Sequence, residues 1–189
     1  EALERALADL PTQLRATSAV AVGECGLDGA KARRGGAPMS LQVRVLERHL
    51  ELARDLRLPL VLHCVDAHGA LLALLERHGP LSARGVMHSY SGPAELVPRY
   101  ARLGLSFSFA GIISRENAKR PRKALAAVPL SHLLVESDGP DQAAAFVAER
   151  RSEPAHIVQL LEIFASLRTE SPAELGRACA DNARRLFGR

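Results

Sequence analysis

Five short apolar runs, each followed by residues at helical spacing, constrain this chain more than any other feature. The runs are Ala19–Gly23, Leu58–Leu62, Gly85–Met87, Leu105–Ala110 and Leu133–Val135. They are nearly continuous in Val, Leu, Ile and Phe, the pattern of strands in a parallel sheet covered on both faces. Between the first two, Val43, Leu46, Leu50, Ala53 and Leu56 fall on one helical stripe. Helical patterns over 70–78, 94–103 and 115–127 follow the next three runs, and two more, 155–167 and 172–187, close the chain. The last has a clear start: Ser171 as cap, Pro172 at the first helical position, Glu174 three residues after the cap. Strand–helix alternation predicts an α/β fold with a parallel sheet. With 189 residues and no internal repeat or low-complexity linker, one domain spanning 1–189 with a substantial core is expected.

Composition narrows the classes. No apolar run is long enough to span a membrane, and no signal-peptide pattern is present. The three cysteines, Cys25, Cys64 and Cys179, are odd in number and far apart. That argues against a disulfide framework and predicts a reducing, cytoplasmic setting. The net charge of +4 is carried almost wholly by arginine. Guanidinium groups pair well with phosphates, but an arginine-rich codon usage gives the same count, and charge alone does not decide. No obligate protein partner is evident.

Polar residues gather where the apolar runs end. The first run leads into Glu24 and Asp28, the second into His63 and Asp66, the third into His88, and the fifth into Glu136 and Asp138. The fourth, LSFSFAG, carries no ionisable group. In a parallel sheet these ends lie on one side, and in a β/α barrel they form the mouth. Glu24, His63, His88 and Asp138 are thus expected to converge. Burying them unpaired would cost several kcal/mol each, as an order of magnitude. A divalent cation removes that penalty, and carboxylates with neutral imidazoles suit Zn, Mn or Mg. A lone strand-end histidine is more often plain hydrogen-bonded structure, and a lone aspartate a helix cap. Four at successive polar strand ends favour a metal site. His49 and His78 fall on helices and His68 and His156 near helix starts, so all four are expected to be surface or capping residues. His132 precedes a strand, the wrong end for the site. Cys25 and Cys64 flank Glu24 and His63, but successive strand residues point to opposite faces, so both are expected to be packing residues.

The segments AVGECGLD, LPLVLHCVDA, GVMHSYSG, LLVESDGPD and DNARRLF, in this order, resemble the signatures of the TatD-family metal-dependent deoxyribonucleases. The resemblance runs from about Ala19 to the C-terminus. It implies a TIM-type (β/α) barrel of the amidohydrolase-like kind, a two-metal centre, and hydrolysis of phosphodiester bonds in DNA, with single-stranded or frayed ends as the expected substrate. Position by position, it implies that Glu24 bridges both metals, that His63 and His88 hold one of them, and that Asp138 binds the other and helps activate water. Arg151, in RRSEP (150–154), is a candidate phosphate contact. Metal identity, whether Mg, Mn or Zn, is left open by the residues.

The chain also departs from the family pattern. No segment carries the family's first strand with two histidines one residue apart. The expectation is an incomplete barrel, with roughly the last five strands present and the first three absent, weak binding of one metal, and little cleavage. Val65 stands where the family often has Arg, Ser152 where Asn is usual, and Ser137 where Thr is usual. Arg115, Lys119, Arg120, Arg122 and Lys123 are expected to open the helix after the fourth strand, with Arg115 and Lys119 steering the DNA backbone. A plain solvated basic face accounts for the same residues. Few aromatics are available to stack bases, so sequence-specific reading is not expected. Two other readings stay open: a barrel hydrolase acting on a small ester, lactone or amide, and an inactive remnant.

Overall fold

The computed structural model describes residues 1–188. Five strands, β1 (Val22–Asp28), β2 (Leu60–Val65), β3 (Gly85–Met87), β4 (Leu105–Phe109) and β5 (Leu133–Val135), form one sheet in chain order. Every pairing is parallel. The helices are α1 (Ala2–Ala16), α2 (Gly29–Arg33), α3 (Met39–Leu56), α4 (His68–His78), α5 (Val97–Arg102), α6 (Lys119–Ala127), α7 (Ile157–Ser166) and α8 (Pro172–Phe187).

The main core lies between the sheet and the helices on one face. Leu46, Leu50 and Ala53 of α3 and Leu71, Leu72, Leu74 and Leu75 of α4 meet Val22, Leu27, Leu60 and Leu62 there. Phe107 and Phe109 of β4 pack into the same core beside Tyr90, Tyr100 and Phe164. A smaller cluster occupies the opposite face: Val86 and Leu134, with Val61, against Leu186, Ala183 and Phe187 of α8.

The α8 start is as its sequence predicts. Ser171 Oγ accepts the Glu174 N–H at 3.3 Å, and the Glu174 carboxylate accepts the Ser171 N–H at 2.8 Å. The DNARRLF segment has a structural task. Asn182 is buried, and its amide donates to the carbonyls of Leu130 at 2.8 Å and Leu133 at 2.7 Å, fixing α8 to the start of β5.

Several boundaries differ from expectation. β1 runs from Val22 to Asp28, well past Gly23, and β2 from Leu60 to Val65, past Leu62. From Cys25 in β1 and throughout β2, buried and partly open positions alternate, the buried ones facing the main core. The expectation of strands covered on both faces held for the apolar halves and missed the polar alternation that continues them. α1 and α2 were not foreseen. α1 buries no residue completely, although Leu14 packs against the core. The helix after β4 starts at Lys119, after a 3₁₀ turn at Gly111–Ser114, so Arg115 lies in an extended link.

Candidate active site

The site grows from the open face of the sheet. Cys25, Leu27, Leu62 and Cys64 are buried toward the helices, which leaves Glu24, Asp28 and His63 on the other side. Gly26 sits opposite His63 in the register. A Cβ there would lie 1.9 Å from the His63 carbonyl oxygen, so only glycine lets the two backbones approach this closely. All three cysteines are free and buried, and burial pushes the Cys25 and Cys64 thiols up to about 12.

Two imidazole–carboxylate groups result. In the first, Glu24 Oε1 lies 2.8 Å from His63 Nδ1, and Asp28 Oδ2 lies 3.6 Å from His63 Nε2. Asp28 also caps α2, accepting the Lys31 N–H at 2.8 Å. Partial burial works to raise its pKa, but the Lys31 N–H and then His63 hold it below the usual carboxylate range. In the second, His88 Nδ1 is 3.0 Å from Glu136 Oε2, and His88 Nε2 is 3.4 Å from Asp138 Oδ1. Asp138 turns the chain with φ 51° and accepts a hydrogen bond from Gln142 Nε2. The Glu24 charge acts on both His88 and Asp138, so the four expected residues share one end of the sheet.

Glu136 organises the second group. Its carboxylate accepts the Ser89 N–H at 2.7 Å and the Ser108 hydroxyl at 2.6 Å besides facing His88. The hydrogen bond to Glu136 pushes His88 up to about 9, against the opposing effect of burial. Burial, with Glu136 and Glu24 nearby, raises Asp138, although His88 and Gln142 pull the other way. Sequence reasoning noticed the Glu136 carboxylate without giving it a role, and missed Ser108 because that strand has no ionisable group. The signal for both was positional: Ser108 lies in β4 and Glu136 directly after β5, both on the side of the sheet that carries His88.

The spacing of the donors bears on whether they suit a divalent ion. Two ligands of a tetrahedral ion with bonds of about 2.1 Å stand about 3.4 Å apart. The His88–Asp138 spacing matches this, and the His63–Asp28 spacing is close to it. His63 Nε2 is moreover buried without a hydrogen-bond partner, as suits a nitrogen kept for a cation. The donors therefore fit a metal in pairs. Among the described residues, no group of three or more His, Cys, Asp or Glu is gathered around one point.

The basic residues take separate places. Arg151 lines an open cleft with Ser137, Gly139, Pro140 and Ser152, beside Asp138 in the chain. Ser152 itself is buried and donates to the Ser137 carbonyl at 2.6 Å. Arg115 and Lys119 are exposed beyond the end of β4. His156 caps as expected, its Nδ1 accepting the Glu153 N–H at 3.0 Å. His68 does not: it packs edge-on against Tyr90 and Tyr100, with ring centroids 5.4 and 6.4 Å away, and its Nδ1 is buried without a partner. The reason is that the Ala67–His68 turn leads straight into α4, whose first turn faces the aromatic core.

A parallel sheet with histidines and carboxylates collected beyond its C-terminal strand ends is the arrangement in which β/α-barrel enzymes place their active sites. The comparisons narrow that class. The family model described as TatD related DNase matches residues 1–188, and the chain belongs to that family. The chain is 35% identical over 173 residues to the 3'-5' ssDNA/RNA exonuclease TatD of Erwinia billingiae. It is 30% identical over 168 residues to the uncharacterized metal-dependent hydrolase YabD of Bacillus subtilis. Each match covers 89% of this chain, which spans 65% of the length of either relative. The crystal structure of YjjV, a TatD homologue from Escherichia coli K12, superposes with a TM-score of 0.88 at 30% identity, covering 98% of this chain and 71% of that one. A TatD-family hydrolase from Entamoeba histolytica, at 20% identity and a TM-score of 0.76, shares the fold. No helix of the described residues is long and apolar enough to cross a membrane.

Proposed function

We propose that this chain carries the metal- and substrate-binding part of a metal-dependent hydrolase that cleaves phosphodiester bonds in DNA, acting as an exonuclease on single strands or frayed ends. The observation that carries the reading is the pairing of His63 with Glu24 and of His88 with Asp138 at one end of the parallel sheet. The TatD exonuclease named among the relatives supports the substrate class. We read the five strands as part of a TIM-type barrel whose first three strands lie outside this chain, in one domain over 1–189. The open sheet edges at β1 and β5 and the greater length of the relatives favour that reading.

In this proposal Glu24, His63, His88 and Asp138 hold divalent ions, two in the full family pattern and one, weakly, in this chain. A bound divalent cation supplies Lewis acidity toward a phosphoryl oxygen and lowers the pKa of bound water. The protein's own residues do the rest. Glu136 fixes the His88 ring through Nδ1, so that Nε2 faces the site. Gln142 holds Asp138 in place, and Asp138 orients water and accepts its proton. Glu24 holds His63 through Nδ1, so that Nε2 is presented to a ligand. Arg151, Arg115 and Lys119 attract the phosphate backbone.

The test is release of nucleotides from a labelled single-stranded oligonucleotide with Mg, Mn or Zn, beside hydrolysis of small esters and lactones. Slow metal-dependent cutting of the strand, abolished by chelation, is expected, in keeping with one weakly held ion. Turnover of the small ester or lactone alone would contradict the nucleic-acid reading.

A further inference from the structure

Phe146 is one of five phenylalanines in a chain with no tryptophan, and it is 43% exposed. Its surroundings hold it there. Ala144 and Val147, on either side, are buried. The Ala145 N–H donates to Ser114 Oγ at 2.7 Å, tying the loop after β5 to the turn after β4, and Gln142 links the same loop to Asp138 and Ser89. The Phe146 ring meets the His156 ring edge-on, with centroids 6.0 Å apart and planes at 82°. His156 cannot swing freely, because its Nδ1 is engaged by the Glu153 N–H. The result is a large apolar side chain held in solvent at the rim of the mouth, with Arg150 and Arg151 exposed four and five residues further on.

An exposed aromatic ring fixed by its loop, with exposed arginines a few residues further along the chain, is suited to serve a single strand of nucleic acid as a stacking platform. The ring loses little rotamer freedom on binding, because the loop has already placed it. We propose that Phe146, backed by His156, stacks a base of the substrate strand while Arg150 and Arg151 pair with the adjoining phosphates. This rests on the nucleic-acid reading above and adds to it a base-contacting position. Such a contact favours single strands, whose bases are free to splay, and tolerates any base, since every base has a π face.

The experiment uses oligo(dT) with phosphorothioate linkages, which resist hydrolysis, and a series in which one abasic site is moved along the strand. Phe146→Ala is expected to weaken binding of the full strand on the order of tenfold, and Phe146→Trp by twofold or less. At one position, removing the base from the strand and the ring from the protein should not add: the double change should cost no more than either alone. Phe146→Trp also makes the only tryptophan in the chain. Its fluorescence should be quenched by the full strand and not by the strand abasic at that position. Wild-type binding with an unchanged affinity in Phe146→Ala, or additive losses at every abasic position, would overturn the platform alone. A wild-type protein that neither binds nor cuts single strands would overturn the nucleic-acid reading and the platform with it. Phe146→Leu, which keeps an apolar side chain, separates stacking from loop collapse: it should bind like Phe146→Ala, and wild-type affinity in it would also overturn the platform.

Discussion

Gly26→Ala should damage this protein more than any other single-methyl addition on the surface of the sheet. The added Cβ would stand 1.9 Å from the His63 carbonyl oxygen and 2.8 Å from the His63 nitrogen, where real Cβ contacts stay beyond 3.0 Å. Both neighbours are backbone, so no side chain can swing away. β1 and β2 would have to separate by about 1 Å at the rung that also aligns Leu27 with Cys64 and Asp28 with Val65. Gly26 also has φ 157°, near-exclusive to glycine, which adds about 1–3 kcal/mol of strain for alanine. Overpacking and strain together come to about 4 kcal/mol, or about 8–16 °C in melting temperature for a chain of this size. Gly35→Ala is the control: Gly35 also has positive φ, 85°, but nothing lies within 4 Å of its Cβ position. It should lose only about 1–2 kcal/mol. Urea unfolding of both variants beside the wild type is the assay. If the two midpoints coincide, the close approach of β1 to His63 is not what the glycine is for.

The other predictions follow from named contacts. Glu136→Gln should lower divalent-metal affinity by about 10–100-fold, because the His88 ring loses its charged anchor, and calorimetric titration reads this directly. Asn182→Ala leaves the Leu130 and Leu133 carbonyls without their donor and should destabilise by about 2–3 kcal/mol in chemical unfolding. Burial, and then Arg120, push His68 down to about 4 from 6.5. The unfolded chain therefore takes up a proton that the folded chain refuses. The His68 contribution is whole above pH 6.5 and is lost as the pH falls toward 4. With allowance for the partly exposed ring the loss is about 2 kcal/mol. His68→Phe should remove that part of the acid sensitivity, and unfolding curves at pH 7 and 4.5 for both proteins measure it.

Much of the fold was legible because its strands are apolar runs with turn residues behind them. The starts of β3, β4 and β5 and the capping of α8 follow from local chemistry. β1 and β2 were cut short for a physical reason: past Gly23 and Leu62 the apolar runs are broken by Glu24, Asp28 and His63, which face away from the main core. Apolar continuity therefore ended the predicted strand where the functional half begins. α1 escaped because it carries Pro11 and buries no residue completely. The shared position of Glu24, His63, His88 and Asp138 at one end of the sheet was legible from strand ends alone. Glu136, Ser108 and Gln142 were not, because their parts depend on contacts across 28 to 53 residues of chain. His68 was misjudged because its place at a helix start says nothing of the aromatic core that the helix faces.

What most needs testing is the proposal that His63 and His88, each with the carboxylates beside it, bind a divalent cation at this end of the sheet. Calorimetric titration of Zn or Mn into the wild type and into His63→Ala, His88→Ala and Asp138→Asn tests it most directly. Binding should be measurable in the wild type and at least tenfold weaker in each variant, with far-UV spectra unchanged. Equal metal affinity in His63→Ala, His88→Ala and the wild type would contradict it.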